Sequence, residues 1–387
     1  MLSAANISCL RNILFGFFAF VFIIVCNLYA GADGVSQERL QRLAKGTNLP
    51  GWLWLNRGEP QALETRYSDE TLQLIRSLGF THVRIPIDMA NAHEPEDADL
   101  LSDDLLLVLD AAIENLVQKY NLAVIIDLHS ISQDTGGSNY SGPLATDPDF
   151  VDTYVEFWSA FAKHLSKHDP DWVFLEPMNE PVFNRNEAGW IPIQNRVIRV
   201  IRENAPEHTI FATGARWSNI DTLIELEPLD DSNIVYNFHF YEPHIFTHQG
   251  ATWSSEFVKP LREIPYPSSP EIIAPFLEKY QDEEVKKHLT WYGKERWNTE
   301  QIREEIGKAA AWGKEHNVPL ICDEFGVYRN FSPRESREQW YRDVRSALEE
   351  NRIGWTVWSG GFGIFYRENR ENRVDKGVAE ALGLMVE

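Results

Sequence analysis

The chain has 387 residues, 43% of them hydrophobic, and a formal net charge of −22. That length allows one large domain or two small ones with a sizeable core. The acidic balance excludes nucleic acid and anionic membrane as natural partners, because both select positive surface.

The first stretch is a separate object. Arg11 precedes an apolar run over residues 13–29, and Ala30, Gly31 and Ala32 then form a small-residue cleavage pattern. This reads as a secretory signal peptide of residues 1–32, with residues 33–387 as the mature domain; an uncleaved anchor is the alternative. The expected location is therefore outside the cell or in a periplasm, with no membrane contact after cleavage, and a monomer is expected. Cys9 and Cys26 lie in the leader, which leaves Cys322 alone and allows no internal disulfide. Cys322 reads as a small apolar residue within a strand rather than a nucleophile.

Beyond the leader, strand and helix patterns alternate. Residues 46–52 give a first short strand and its turn. Ser68 opens a helix that Gly79 stops. Residues 81–86 form a second strand. Ser102 caps a helix carrying Leu105, Val108, Leu109, Ala112, Ile113 and Leu116 at three-four spacing. Residues 122–128 are a third strand, ending at His129 and a polar loop. Asp147 and Pro148 start a helix with proline in its first turn. Residues 172–175 are a fourth strand that runs into Asn179, Glu180 and Pro181. A helix over 193–204, a strand over 209–213 and a strand over 233–241 follow. In the last of these Asn237, His239 and Tyr241 alternate with Tyr236, Phe238 and Phe240, the period of a strand.

Residues 242–298 break the rhythm. They contain several prolines and are too long for an ordinary connection, so they read as a functional loop with short helices of its own. A helix over 299–316 restores the alternation. Residues 319–326 form a seventh strand carrying Glu324. Ser332 to Glu335 reads as a capping box opening a helix to Asn351. Residues 354–358 are an eighth strand ending at Trp358, and a last helix covers about 376–384. Eight strand–helix units imply a parallel sheet closed into an α/β TIM barrel, (β/α)8, with one long insertion after strand six. An open dinucleotide-binding sheet is disfavoured, since the segment from Gly46 to Gly51 has the wrong spacing and a proline.

In such a barrel the strand ends share one face. Arg84, His129, Asn179, Glu180, His239, Tyr241, Glu324 and Trp358 all lie there. Any one of them is explained as a buried polar residue, but eight together are not. A metal site is the weaker reading: Asp127, His129, His239 and Glu324 offer ligand types, yet no His-x-His pair ends the first strand. Two carboxylates beside an arginine, a tyrosine and a tryptophan fit glycoside cleavage without metal or cofactor. In that chemistry Glu180 is the proton donor, and Arg84 and the Tyr241 hydroxyl keep Glu324 ionised. Trp158, Trp172 and Trp312 read as core. Trp52, Trp54, Trp190, Trp217 and Trp253 are candidate sugar platforms.

The ordered set resembles glycoside hydrolase family 5, the cellulase-like retaining barrel hydrolases. The resemblance rests on Arg84, His129, the run Asn179, Glu180 and Pro181, His239 with Tyr241, Asp323 to Gly326, and Trp358. It spans nearly all of the mature chain. It implies double displacement with Glu180 as acid/base and Glu324 as nucleophile, and Arg84, His129, Asn179, His239, Tyr241 and Trp358 as substrate-binding groups. It further implies that Asn179 holds a sugar 2-hydroxyl. The expected substrate is a β-glucan-type polysaccharide. An exo-β-1,3-glucanase, a mannanase of the same fold and a catalytically silent carbohydrate-binding barrel are the alternatives. Departures in the loop after His129 and in the long insertion leave linkage open.

Overall fold

The computed structural model describes residues 34–54, 67–94, 100–130, 140–183, 186–368 and 371–386. The expected leader and most of the loop after His129 lie outside the described residues. The eight expected strands are β1 Lys45–Asn48, β2 His82–Ile87, β3 Ala123–Leu128, β4 Val173–Glu176, β5 Ile210–Thr213, β6 Ile234–Phe240, β7 Leu320–Phe325 and β8 Gly354–Val357. They form a closed parallel barrel in chain order, with β1 pairing to β8. Among the described residues no helix is long and apolar enough to cross a membrane.

Strand periodicity sorts the side chains into two populations. One face of each strand meets the helices: Val124, Ile126 and Leu128 on β3 and Val173 and Leu175 on β4 join the large outer core. The other face fills the barrel. Its lower layer is apolar, with Ala123, Ile125, Phe174, Phe211, Val235 and Ile321 packed together. Two residues further along the same strands the filling turns polar, at Asp127, Glu176, Thr213, Asn237 and Asp323, all buried. The layered interior of this parallel barrel is thus apolar at the bottom and charged beneath the carboxyl ends of the strands. Gly46 on β1 is needed for this packing, because a Cβ there would lie 2.0 Å from the His82 ring.

The helices start largely where the sequence signals place them. The helix Pro148–Leu165 is capped by Asp147, whose carboxylate accepts from the amides of Asp149 and Phe150. Such a cap contributes about 1 kcal/mol. Its buried face of Val151, Tyr154, Phe157, Trp158, Phe161 and Leu165 contributes more, at roughly 1.5–3 kcal/mol per large side chain. Ser68 caps Asp69–Ser77, and Gly79 follows with φ 95°.

Two expected caps do not form. Ser102 precedes Asp103–Glu114 without a side-chain bond. Ser332 is no capping box: the helix begins at Arg334, and the Ser332 hydroxyl donates to the Tyr328 carbonyl at 2.9 Å. The competing acceptor in the loop after β7 takes the hydroxyl away from the helix end. The sequence reading also passed over the helix Gln37–Arg42 and the hairpin of β9 Phe365–Glu368 and β10 Glu371–Val374. Arg39 of that helix holds Asp171 at 2.7 Å, and Arg42 lies over the Trp172 ring at 4.1 Å.

The insertion after β6 carries short helices, His244–Thr247, Pro270–Leu277 and Glu283–Glu295. Its first part stays at the strand ends, where the His248 ring packs edge-on to Tyr241 at 5.1 Å and to Phe362 at 5.3 Å. Its later part is tied to the outside of the barrel, since Tyr266 donates to Asp343 on the helix Arg334–Glu350 at 2.8 Å.

Candidate active site

The site is built around one buried cation. Arg84 has no exposed surface and lies inside the barrel on β2. Its Nε and Nη2 donate to both oxygens of Glu176, each at 2.6 Å. Nη1 donates to Oε1 of Glu324 at 2.7 Å and to Oδ1 of Asn48 at 3.0 Å, and Nη2 to Oδ1 of Asn179 at 2.9 Å. Asp127 lies 3.0 Å from Nη2. A planar fork of five N–H donors serves more acceptors at once than the three of a lysine could.

Glu324 sits above it at the end of β7. Its second oxygen, Oε2, accepts from the Tyr241 hydroxyl at 2.9 Å. Burial pushes the Glu324 carboxyl up, and the charges of His239 and Arg84 oppose that. Burial, with Glu324 and Glu180 nearby, pushes the Tyr241 hydroxyl well up, so it remains a donor. Glu180 follows β4 with φ 40°, a left-handed conformation that costs a residue with a Cβ on the order of 1 kcal/mol. Strain of this kind is tolerated where the surroundings fix the chain. Here the amide of Asn179 donates to the Leu128 carbonyl, and Asn179 Nδ2 to the Ser130 carbonyl.

His239 joins the two glutamates. Its Nδ1 is 3.0 Å from Glu180 Oε1 and 3.7 Å from Glu324 Oε2. Single atoms of Glu180, His239 and Glu324 lie within 4.8 Å of one another. This geometry would also suit a cation, but both oxygens of Glu324 are already met by Arg84 and Tyr241. His129 bonds Asp127 through Nδ1 at 2.6 Å and stacks on Trp358 with ring centres 5.6 Å apart. Trp54 packs edge-on to His129 at 4.3 Å.

All eight residues singled out in the sequence therefore gather at one end of the barrel. Arg84 and Asn179 are buried, whereas the Glu180 side chain keeps 23% of its surface exposed. Of the candidate platforms, Trp217 and Trp253 are exposed, while Trp52 and Trp54 are buried against the site loops and Trp190 is core, with its indole bonded to the Thr213 carbonyl. Phe246 of the insertion is also core, and Trp291 is exposed on the helix Glu283–Glu295.

Glu176 and Asp323 went unread as site residues. The signal was present for Glu176, which stands two residues after Phe174 on an inward face. Asp323 gave the same signal, two residues after the inward Ile321. Glu324 is the irregular residue of β7: Cys322 pairs with Phe238, yet Glu324 pairs with His239. One extra residue on β7 is a bulge, and it turns a second consecutive carboxylate toward the interior.

The comparisons with known proteins bear on the family and the fold. The family described as Cellulase (glycosyl hydrolase family 5) matches residues 45–363. Endoglucanase 3 of Fibrobacter succinogenes is 31% identical over 90% of this chain, and the chain spans about half of that relative's length, 54%. Endoglucanase C of Acetivibrio thermocellus is 29% identical over 81% of this chain and 90% of its own. The structure of endoglucanase Cel5A from Thermotoga maritima has a TM-score of 0.71 at 25% identity, covering 89% of this chain and 98% of that one. With the family match running from the first barrel strand past the eighth, the chain belongs to glycosyl hydrolase family 5.

Proposed function

We propose that the protein is a secreted β-glycoside hydrolase that cleaves a β-glucan-type polysaccharide by double displacement. The observation that carries this reading is the short span between Glu180 and Glu324, with oxygens inside 4.8 Å. Retaining enzymes place their carboxyl groups about 5–5.5 Å apart, and inverting ones leave about 6.5–9.5 Å for a water. The partly exposed Glu180 protonates the leaving oxygen while Glu324, steered by Arg84 and Tyr241, bonds to the anomeric carbon. Water then releases the sugar with Glu180 as base. Asn179, whose amide nitrogen retains a second hydrogen beyond its bond to Ser130, holds the sugar 2-hydroxyl. His129, His239 and Trp358 line the reacting subsite. The endoglucanases among the relatives support β-glucan over mannan. The positive charge of Arg84 among the carboxylates supports a metal-free reaction, so activity should survive exhaustive chelation.

The test is a panel of β-glucans and mannans with product sizing and proton NMR of the first anomer formed. Retained configuration on a β-glucan is expected. Inversion would overturn the double displacement. Binding without any cleavage would leave a silent carbohydrate-binding barrel, and cleavage of mannan alone would reassign the substrate.

A further inference from the structure

We propose that Asp323, on the inward face of β7, is a positioning residue that fixes a proton on His239 Nε2 and so lets His239 Nδ1 and Glu180 share the proton delivered to the glycosidic oxygen. The inference rests on Glu180 being the acid.

His239 Nε2 and Asp323 Oδ1 are both buried, and neither has a hydrogen-bond partner elsewhere. They face each other at 3.3 Å. Buried polar atoms of opposite character are rarely left without partners, and each of these has the other as its nearest complement. The other oxygen of Asp323 is held by Asn237 Nδ2 at 2.7 Å, so the carboxylate is fixed from behind. Asn48 Nδ2 donates to the Asp323 carbonyl at 3.1 Å and anchors the bulge itself. A carboxylate that takes the Nε2 proton decides the tautomer, and the opposite nitrogen, Nδ1, is left facing Glu180 at 3.0 Å.

The charges around His239 come from several elements. Glu180 approaches from the end of β4, and Asp323 and Glu324 from β7. Arg84 on β2 neutralises part of this set and is itself held by Asp127 and Glu176. Tyr241 bonds Glu324, and His129 and His244 act at longer range on Glu324 and Glu180. Burial disfavours a charged imidazole, but Glu324, Asp323 and Glu180 together hold the His239 proton well above its ordinary range. Of these three, Glu324 loses its charge when it bonds to the sugar, and Glu180 gives up and regains a proton in each turnover. Asp323 touches no substrate, so it is the constant negative charge against which the shared proton is set.

The experiment is Asp323→Asn, which keeps the shape and removes the charge. The basic limb of the kcat/KM pH profile reports loss of the acid's proton. Losing a carboxylate next to the pair lowers its proton affinity, so that limb should move toward acid by about one pH unit or more, with the acidic side largely retained. A uniform loss at every pH, with the limb in place, overturns the proposal and leaves Asp323 a structural residue. Imidazole nitrogen NMR of the unaltered protein is the second measurement. A protonated Nε2 on His239 is expected, and a bare Nε2 overturns the proposal even if the variant fails to fold. The NMR result holds whether or not any glycoside is cleaved, so failure of the functional reading is seen separately.

Discussion

Arg84 donates to Oε1 of Glu324 at 2.7 Å while the same guanidinium grips both oxygens of Glu176 at 2.6 Å. One side chain thus fixes the proposed nucleophile to the barrel interior. Arg84→Lys keeps the charge but cannot make the fork. Loss of a preorganised donor of this kind costs about 10²–10³-fold, and kcat/KM should fall by that amount. Arg84→Ala leaves the buried carboxylates unpaired and should destabilise by about 3–5 kcal/mol. Kinetics of the lysine variant and denaturant melts of both check the two claims. A lysine variant with unaltered kcat/KM would refute the first.

Glu180→Gln should preserve the fold and lower polysaccharide hydrolysis by about 10²–10⁴-fold, the usual worth of a positioned acid. An activated aryl glycoside needs little protonation to leave, so its first step should be spared. Burst kinetics on the aryl substrate separate the steps. Equal loss of the burst on both substrate types would mean that Glu180 is not the acid.

The insertion after β6 divides into a part at the cleft and a part on the outer wall. Trp253 belongs to the first: it is exposed, and its ring meets Tyr328 edge-on at 4.8 Å and lies 6.3 Å from Phe362. Trp253→Ala should weaken polysaccharide turnover about tenfold or more while sparing a small aryl glycoside, because remote binding energy is used in the transition state. Comparison of kcat/KM on the two substrates decides it, and equal effects on both would remove Trp253 from the cleft wall.

Two buried histidines, His82 and His208, and the half-buried His244 contribute to the acid side of stability. Burial holds His82 down to about 3, and His208 and His244 down to about 4. In the unfolded chain each titrates at about 6.5. The unfolded state therefore takes up protons first as pH falls, so stability present above pH 6.5 is lost between there and about pH 4, and down to about pH 3 for His82. For His208, buried with its Nε2 unpartnered, the loss reaches about 3 kcal/mol. Tm should fall between pH 7 and pH 4, and His208→Gln should flatten that slope. An identical slope in the variant would assign the acid lability elsewhere.

The sequence by itself determined the barrel. Eight apolar runs of strand length, each ending in a polar residue and separated by amphipathic helices, leave few other ways to bury the chain. It also determined which strand ends carry Arg84, His129, Glu180, His239, Tyr241 and Glu324, because in a parallel barrel position along a strand fixes the face. Caps were legible where the side chain had no rival acceptor, as at Ser68 and Asp147, and illegible at Ser332, whose hydroxyl bonds the Tyr328 carbonyl instead. Only the tertiary structure decided which charges meet. The pairing of Arg84 with Glu176 joins residues 92 positions apart, and no local pattern encodes it. The inward turn of both Asp323 and Glu324 contradicts strand alternation, and it shows only against the register of β6. Periodicity is a property of one strand, whereas a bulge is a mismatch between two, so it exists only once the strands are paired.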